Sequence, residues 1–204
     1  MQPRKRAQQT SRTQRPISEG APESVVRVRM LGGFSVSVGS RILEDGVWRL
    51  RKAANLVKIL ALSAGHRMHR GRVMDVLWPD LGGQAASNNL RGVIHAARRT
   101  LEPDPSAASR YLTLLDDQVA LCPEDQLWVD VEAFEEAART ARRSQDPAVY
   151  RMAIELYAGE LLPEDRYEEW AEGRREQLRR MYFALLIELD NYKKIFQVIR
   201  LHSG

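Results

Sequence analysis

Between Ala85 and Leu101 the chain reads AASNNLRGVIHAARRTL, and its apolar positions recur with a helical period. Leu90, Val93, Ile94, Ala97 and Leu101 fall at i, i+3, i+4, i+7 and i+11, one stripe of a helix. Asn88, Arg91, His95 and Arg99 fall on the opposite side, with Arg98 on its flank and Gly92 keeping that side low. Nearer the N-terminus, over Val25–Leu43, the period is two. Val26, Val28 and Met30, then Phe34, Val36 and Val38, alternate with polar residues or glycine, and Gly32-Gly33 and Gly39-Ser40 punctuate them. This predicts a small antiparallel sheet, too short to bury itself, that must lie on helices. Trp48–Ala64 predicts a helix with Leu56, Ile59, Leu60 and Ser63 inward, ended by Gly65. Arg70–Trp78 predicts a short second helix, with Val73, Val76 and Leu77 inward and Pro79 as its stop. A Gly-rich loop, WPDLGGQA, then leads into the 85–101 helix, which Pro103 and Pro105 end. Tyr111–Leu121, YLTLLDDQVAL, reads as strand, Asp-Asp-Gln turn and strand.

From Val129 the pattern is helical. Asp130 caps a helix through Phe134, Ala137, Ala138 and Ala141, and Asp146-Pro147 opens another through Tyr150, Ala153, Ile154 and Tyr157, closed by Gly159. LLPEDRY connects to a long helix from about Glu168 to Ile195. In it Trp170, Leu178, Met181, Tyr182, Leu185, Leu186 and Leu189 are candidate core, and the run Arg174–Arg180 a solvated face. Such paired helices resemble tetratricopeptide units. Phe196–Leu201 is apolar and calls for a partner, the domain itself or a second chain. Residues 1–24 are polar and predicted disordered, a basic arm carrying Arg4, Lys5, Arg6, Arg12 and Arg15. The expected division is therefore an arm (1–24), a mixed unit (25–127) and a helical unit (128–204).

Composition narrows this picture only a little. The 204 residues suffice for one large domain or two small ones, and 44% hydrophobic residues support a core. Lys+Arg 31 against Asp+Glu 27 gives a net charge of +4, a mild bias toward polyanions whose distribution matters more than its size. One cysteine, Cys122, excludes an internal disulfide framework and fits a reducing cytoplasm. No apolar run approaches the ~18 residues of a membrane span, and no secretory apolar stretch follows the N-terminal charges.

A helix with a dry back and a front of Asn, Arg and His carries the residue types that pair with base edges and phosphates in a DNA major groove. The plain alternative is a solvated amphipathic helix. Arg49, Arg51 and Lys52, in the first turn of the 48–64 helix, oppose its dipole, a cost that a phosphate partner would offset. Three solvated cations are the alternative there. Sheet, helix, helix, loop, basic helix, hairpin is the order of a winged helix, whose third helix enters the major groove. Other chemistry is not legible. His66 and His69 lack further ligands nearby, so no metal is expected. Gly82-Gly83 is not followed by Lys-Ser/Thr, and no Gly-x-Ser-x-Gly occurs. The pairs Asp116-Asp117 and Glu168-Glu169 read as turn and surface charges. Neither a cofactor nor an enzyme is expected.

The segment LVKILALSAGHRMHRGRVMDVLWPD, followed by ASNNLRGVIHAARRTLEP and later by LWVDVEAFEEAA, resembles the Streptomyces antibiotic regulatory protein (SARP) family of bacterial transcriptional activators over about Val25–Leu189. Leu77–Pro79, its spacing to Asn89-Leu90, and Val129–Glu135 carry the resemblance together. It implies an α+β winged helix-turn-helix with a small antiparallel sheet and a wing hairpin, followed by an all-α, tetratricopeptide-like bacterial transcriptional activation domain. That domain usually continues further than Gly204, so a shortened helical unit is expected. The implied function is sequence-specific binding of double-stranded DNA as a transcriptional activator on promoter direct repeats. The implied partners are RNA polymerase holoenzyme and a second copy on DNA.

The resemblance also maps positions. Ser87, Asn88, Arg91, His95 and Arg99 fall on its base-reading helix, and Arg51, Lys52 and Arg70 on its phosphate contacts. Arg49 and Arg98 stand beside these as backbone candidates. Trp78, Asp80, Leu81 and Gln84 fall on the loop that touches RNA polymerase in this fold class. The hairpin departs from the family, with Asp116-Asp117-Gln118 where a glycine and a basic or aromatic tip are common. Two carboxylates repel phosphate, so Arg110, Tyr111 and Thr113 at the hairpin base become the backbone candidates. The acidic tip favours a rival reading, a protein-interaction module in which the helical unit binds a partner and the winged helix is a docking scaffold.

Overall fold

A four-residue strand buries two side chains at most, so strands this short are stable only between other layers. The computed structural model describes residues 26–102, 110–124 and 126–202, and beyond residue 192 the side chain of Lys194 alone. The basic arm, Pro103, Pro105 and the side chains of 196–201 lie outside the described residues. β1 (Val26–Arg29) buries Val26 and Val28 and exposes Arg27 and Arg29. β2 (Ser35–Val38) pairs antiparallel with β1, and β3 (Arg41–Glu44) pairs antiparallel with β2. A fourth strand, β7 (Leu127–Val129), runs parallel to β1 on its other edge, with Val28 opposite Val129. Periodicity predicts the first three strands. It cannot predict β7, whose partner lies about 100 residues away along the chain. The expected division between residues 127 and 128 falls inside β7.

α1 (Arg51–Leu62) begins three residues later than its pattern predicts, because Leu50 is extended and Trp48 turns inward onto Phe34 with ring centroids 5.7 Å apart. Every residue from Ala53 to Ala61 is buried, including Asn55 and Lys58. α2 (Arg70–Leu77) and α3 (Gly83–Leu101) lean on α1. The hairpin β5 (Leu112–Leu115) and β6 (Gln118–Leu121) is joined by β4 (Arg67–His69), which pairs with β6 and was not predicted. His69 is the N-cap of α2, its Nδ1 accepting from the Gly71 amide at 3.1 Å.

α4 (Asp130–Ser144) buries Val131, Phe134, Ala138 and Ala141. α5 (Pro147–Glu155) opens on Asp146, whose Oδ1 accepts from the Ala148 amide at 2.8 Å. The long α6 (Glu169–His202) buries Ala171, Leu178, Leu185 and Leu189 and half-buries Trp170, Met181 and Tyr182. Two expectations fail on it. Leu186 sits one position off the buried stripe and is exposed. Arg175, within the run expected to be solvated, is buried, because it falls between Ala171 and Leu178 on that stripe. Its Nε donates to the Leu161 carbonyl and its Nη2 to that of Asp165, both at 3.1 Å. None of the described helices is long and apolar enough to cross a membrane.

The two halves meet along Met30–Gly32. The amides of Met30 and Leu31 donate to Asp130 Oδ2 at 2.7 and 2.8 Å, and the Val131 amide donates to Asp130 Oδ1 at 2.8 Å. Burial pushes the Asp130 carboxyl above its ordinary value against the pull of these three donors. The Gly32 amide donates to the Glu160 carbonyl and the Leu162 amide to that of Met30, both at 2.9 Å. Gly32 (φ 85°) and Gly159 pack backbone to backbone, and a Cβ on Gly159 would lie 2.8 Å from Gly32 Cα. A second tie is ionic. Buried Lys58 places Nζ 2.6 Å from Asp165 Oδ2, 3.0 Å from Asp45 Oδ1 and 4.3 Å from the Phe34 ring centroid.

Gly159→Ala therefore lowers the unfolding free energy by about 1–3 kcal/mol in urea. Gly173→Ala, with open space at its Cβ in the second turn of α6, raises it by about 0.5–1 kcal/mol. Asp165→Ala leaves buried Lys58 short of its closest counter-charge and costs about 3–5 kcal/mol, most of which the double change Lys58→Met, Asp165→Leu recovers. Equal stability of single and double variants would refute the ionic tie.

Candidate nucleic-acid interface

α3 begins with Gly82 as N-cap and takes Gly83 and Gln84 into its first turn, so the preceding loop is shorter than its glycines predict. Leu90, Val93, Ile94, Ala97 and Leu101 are buried beneath it, together with Ala86. Asn88, Arg91, His95 and Arg99 are exposed on the far side, Ser87 is half-buried, and a Cβ on Gly92 would meet nothing within 4 Å. Asn88 Oδ1 accepts from Gln84 Nε2 at 3.4 Å and from Arg91 Nη1 at 3.5 Å. Bonds this long exchange easily for a better partner.

Among the described residues no carboxylate pairs with Arg91, His95 or Arg99. The helical half is different. Arg139, Arg142, Arg143, Arg174, Arg175, Arg179 and Arg180 each meet a glutamate. The described arginines of α4 and α6 are thus neutralised internally, whereas Arg91 and Arg99 of α3 are not, and neither are Arg151 and Arg166 outside those two helices.

The other candidates divide. Arg49 is exposed and Lys52 half-buried, and neither has a carboxylate partner among the described residues. Arg51 is held by the helical half, with Nη2 at 3.2 Å from Asp165 and 3.5 Å from Glu168. Arg70 pairs with Asp117 of the hairpin turn at 3.1 Å, and its amide donates to the Asp117 carbonyl at 2.7 Å. Arg98 is structural, since its half-buried Nε donates to the Leu112 carbonyl at 2.8 Å and fixes the hairpin to α3.

Two candidates at the hairpin base are less accessible than the others. Tyr111 is buried, its carbonyl accepting from the Cys122 amide at 2.8 Å, and the Thr113 hydroxyl is buried as well. The alternation of β5 turns Leu112 toward the core and leaves Thr113 half-buried on the opposite face, paired with Ala120. Arg110 is exposed and lies over the Tyr111 ring at 5.7 Å. The turn is two residues, Asp116 (φ 47°) and Asp117 (φ 64°), not the three the sequence predicts. Both positive φ values match a type I′ turn, where Asp is tolerated.

In the loop before α3, Asp80 and Leu81 are exposed, Trp78 packs against the core, and exposed Gln84 belongs to the helix. Arg41 gave no signal in the sequence. From β3 it donates Nη2 to the Thr100 carbonyl at 3.1 Å and Nη1 to that of Leu101 at 3.3 Å, holding the end of α3 across 60 residues of chain.

No family model matches the chain, and no curated protein matches it. Its fold is similar to that of EmbR of Mycobacterium tuberculosis, in a structure described as a complex with a low-affinity phosphopeptide. The TM-score is 0.60 at 15% identity, over 80% of this chain and 44% of that one. The chain thus spans less than half of that protein's length. The likeness is one of fold, a mixed α/β arrangement of small sheets and helices.

Arg98→Ala removes a charge-assisted bond between α3 and the hairpin and costs about 1.5–3 kcal/mol. Hydrogen exchange at the Val119 and Leu121 amides should quicken while that of α4 stays unchanged. An unaltered hairpin would show that Arg98 does not hold it.

Proposed function

We propose that residues 26–121 form a winged helix-turn-helix that binds double-stranded DNA sequence-specifically, and that the chain is a transcription regulator of the SARP type. The observation that carries this reading is the α3 ridge of Asn88, Arg91, His95 and Arg99, exposed and without counter-charges while its back is buried. The similarity to EmbR, a SARP-family regulator, supports it at the level of fold. Ser87, Asn88 and Arg91 read base edges from the N-terminal half of the helix, and His95 and Arg99 follow them. Arg49 and Lys52 contact phosphates. Arg51 and Arg70 already have carboxylate partners and contribute less. The helical residues 130–202 serve as a tetratricopeptide-like activation unit, and Asp80, Leu81 and Gln84 offer a contact to RNA polymerase. Activation, direct-repeat binding by two copies and a cytoplasmic location complete the reading.

One observation favours the rival, a docking module. Leu114 and Leu115 are exposed on the hairpin beside the carboxylates of its turn. An apolar, acidic hairpin suits a protein surface better than a minor groove.

The test is fluorescence anisotropy with duplexes selected from a random pool, at two salt concentrations. Arg91→Ala should lose about 1–3 kcal/mol of discrimination at one base pair, and Lys52→Ala should weaken all sequences and flatten the salt slope by about 1. Arg51→Ala should flatten it by less than Lys52→Ala. Affinity that does not fall as salt rises would decide for the rival.

A further inference from the structure

β3, the turn at Asp45–Val47 and the last two turns of α3 enclose a cleft of about 500 Å³. That is within the range of small-molecule sites. Its apolar lining includes Leu43, Val47 and Leu50, and Val47 and Leu50 are each about half exposed. Arg41, Arg49, His95 and Arg99 line the same space. None of these four has a carboxylate partner among the described residues, and Arg41 is engaged only with two carbonyls.

Helix electrostatics explains part of this cluster. Arg99 and Arg41 lie at the C-terminal end of α3, where cations are favoured. It does not explain Arg49, which stands beside the N-terminal end of α1, where they are not. Nor does it explain two half-exposed aliphatic side chains among the cations. An inorganic anion would leave Val47 and Leu50 in water. An uncharged hydrocarbon would leave the guanidinium groups without counter-charge. A ligand with an anionic head and an apolar body satisfies both sets, and low-dielectric walls strengthen its ionic contacts.

We propose that this cleft binds an amphipathic organic anion, a carboxylate or a phosphate monoester carrying a hydrocarbon body. His95 and Arg99 belong also to the proposed DNA-reading face, so ligand and duplex compete for them; this last clause rests on the DNA reading.

The test is isothermal titration calorimetry of the full chain with decanoate, decyl phosphate, inorganic phosphate and decanol, each below its micellar concentration. The two amphipathic anions bind saturably at one site, and the tighter of them identifies the head group. Inorganic phosphate and decanol bind roughly tenfold more weakly or worse. The double change Arg49→Glu, Arg99→Glu weakens both anions by about tenfold or more, and Val47→Asp does so as well. All three positions are exposed, and unchanged thermal unfolding verifies that the variants fold. Arg180→Ala, in the helical half, binds like the parent. No saturable anion binding, decanol binding as tight as decanoate, or unaltered binding by the charge-reversed variant overturns the proposal.

Anisotropy of a bound duplex separates the two readings. Release of duplex by decyl phosphate supports competition, and simultaneous binding overturns it. A chain that binds the anions but no duplex sinks the DNA reading and leaves the cleft. A chain that binds duplex but neither anion does the reverse.

Discussion

Buried backbone must find hydrogen-bond partners, and in this fold that requirement fixes how the two halves meet. At Met30–Gly32 the chain has left β1, and no further strand residue is there to take its polar groups. The helical half supplies them, through the Asp130 carboxylate, the carbonyl of Glu160 and the amide of Leu162. The two backbones can approach this closely only because Gly32 and Gly159 have no side chains. Leu162 itself is held at φ 47° and fully buried, a left-handed conformation that a leucine keeps only where its surroundings over-determine it. The helical half is thus a layer of the same core and not an appendage to it.

That core sets how rigid the α3 ridge is. α1 touches the hairpin, α2 and α3 and is buried almost along its whole length. Lys58 anchors it to Asp165 on one side and to Asp45 on another. A buried ion pair adds little net stability, but it penalises every packing in which one partner lacks the other. It therefore works as a register pin between α1 and the turn before α6. Arg41 and Arg98 do the same for α3, one holding its last carbonyls to β3 and the other holding its flank to β5. Arg41 from β3 and Arg98 on α3 itself thus orient that helix against an α1 pinned by Lys58, so its exposed face is presented as a rigid surface.

Local signals were legible and non-local ones were not. The buried stripe of α3 follows from its period, as does the opening of α5 on Asp146-Pro147. The parallel strand β7 and the small strand β4 do not, since three residues carry no period and their partners lie far away. Asp130 reads in the sequence as a cap, and the structure places it as a splice to Met30 and Leu31. Arg175 shows the same limit, because a charge on the buried stripe is revealed only by the carbonyls that satisfy it. Of the candidate site, the residues on one helix face are exposed together, because a helix places them by local geometry. Tyr111 is buried and the Thr113 hydroxyl covered, because how far a hairpin side chain is exposed depends on the layers packed around it.

Charge bookkeeping makes the strongest distinction between a functional face and a merely wet one. If the arginines of α3 were ordinary surface charges, they would be expected to resemble the seven described on α4 and α6, which all meet glutamates on their own or a neighbouring helix. Between Gly83 and Leu101 there is no acidic residue at all. No salt bridge within the helix can therefore form at i+3 or i+4, although such pairs are the simplest way to stabilise an exposed helix. The helix forgoes that stabilisation and relies on its buried back and on Arg41 and Arg98. Its positive field is left unquenched on the side facing away from the core. A sequence that omits counter-charges on one helix and supplies them throughout another distinguishes a surface kept for an anionic partner from one kept for water.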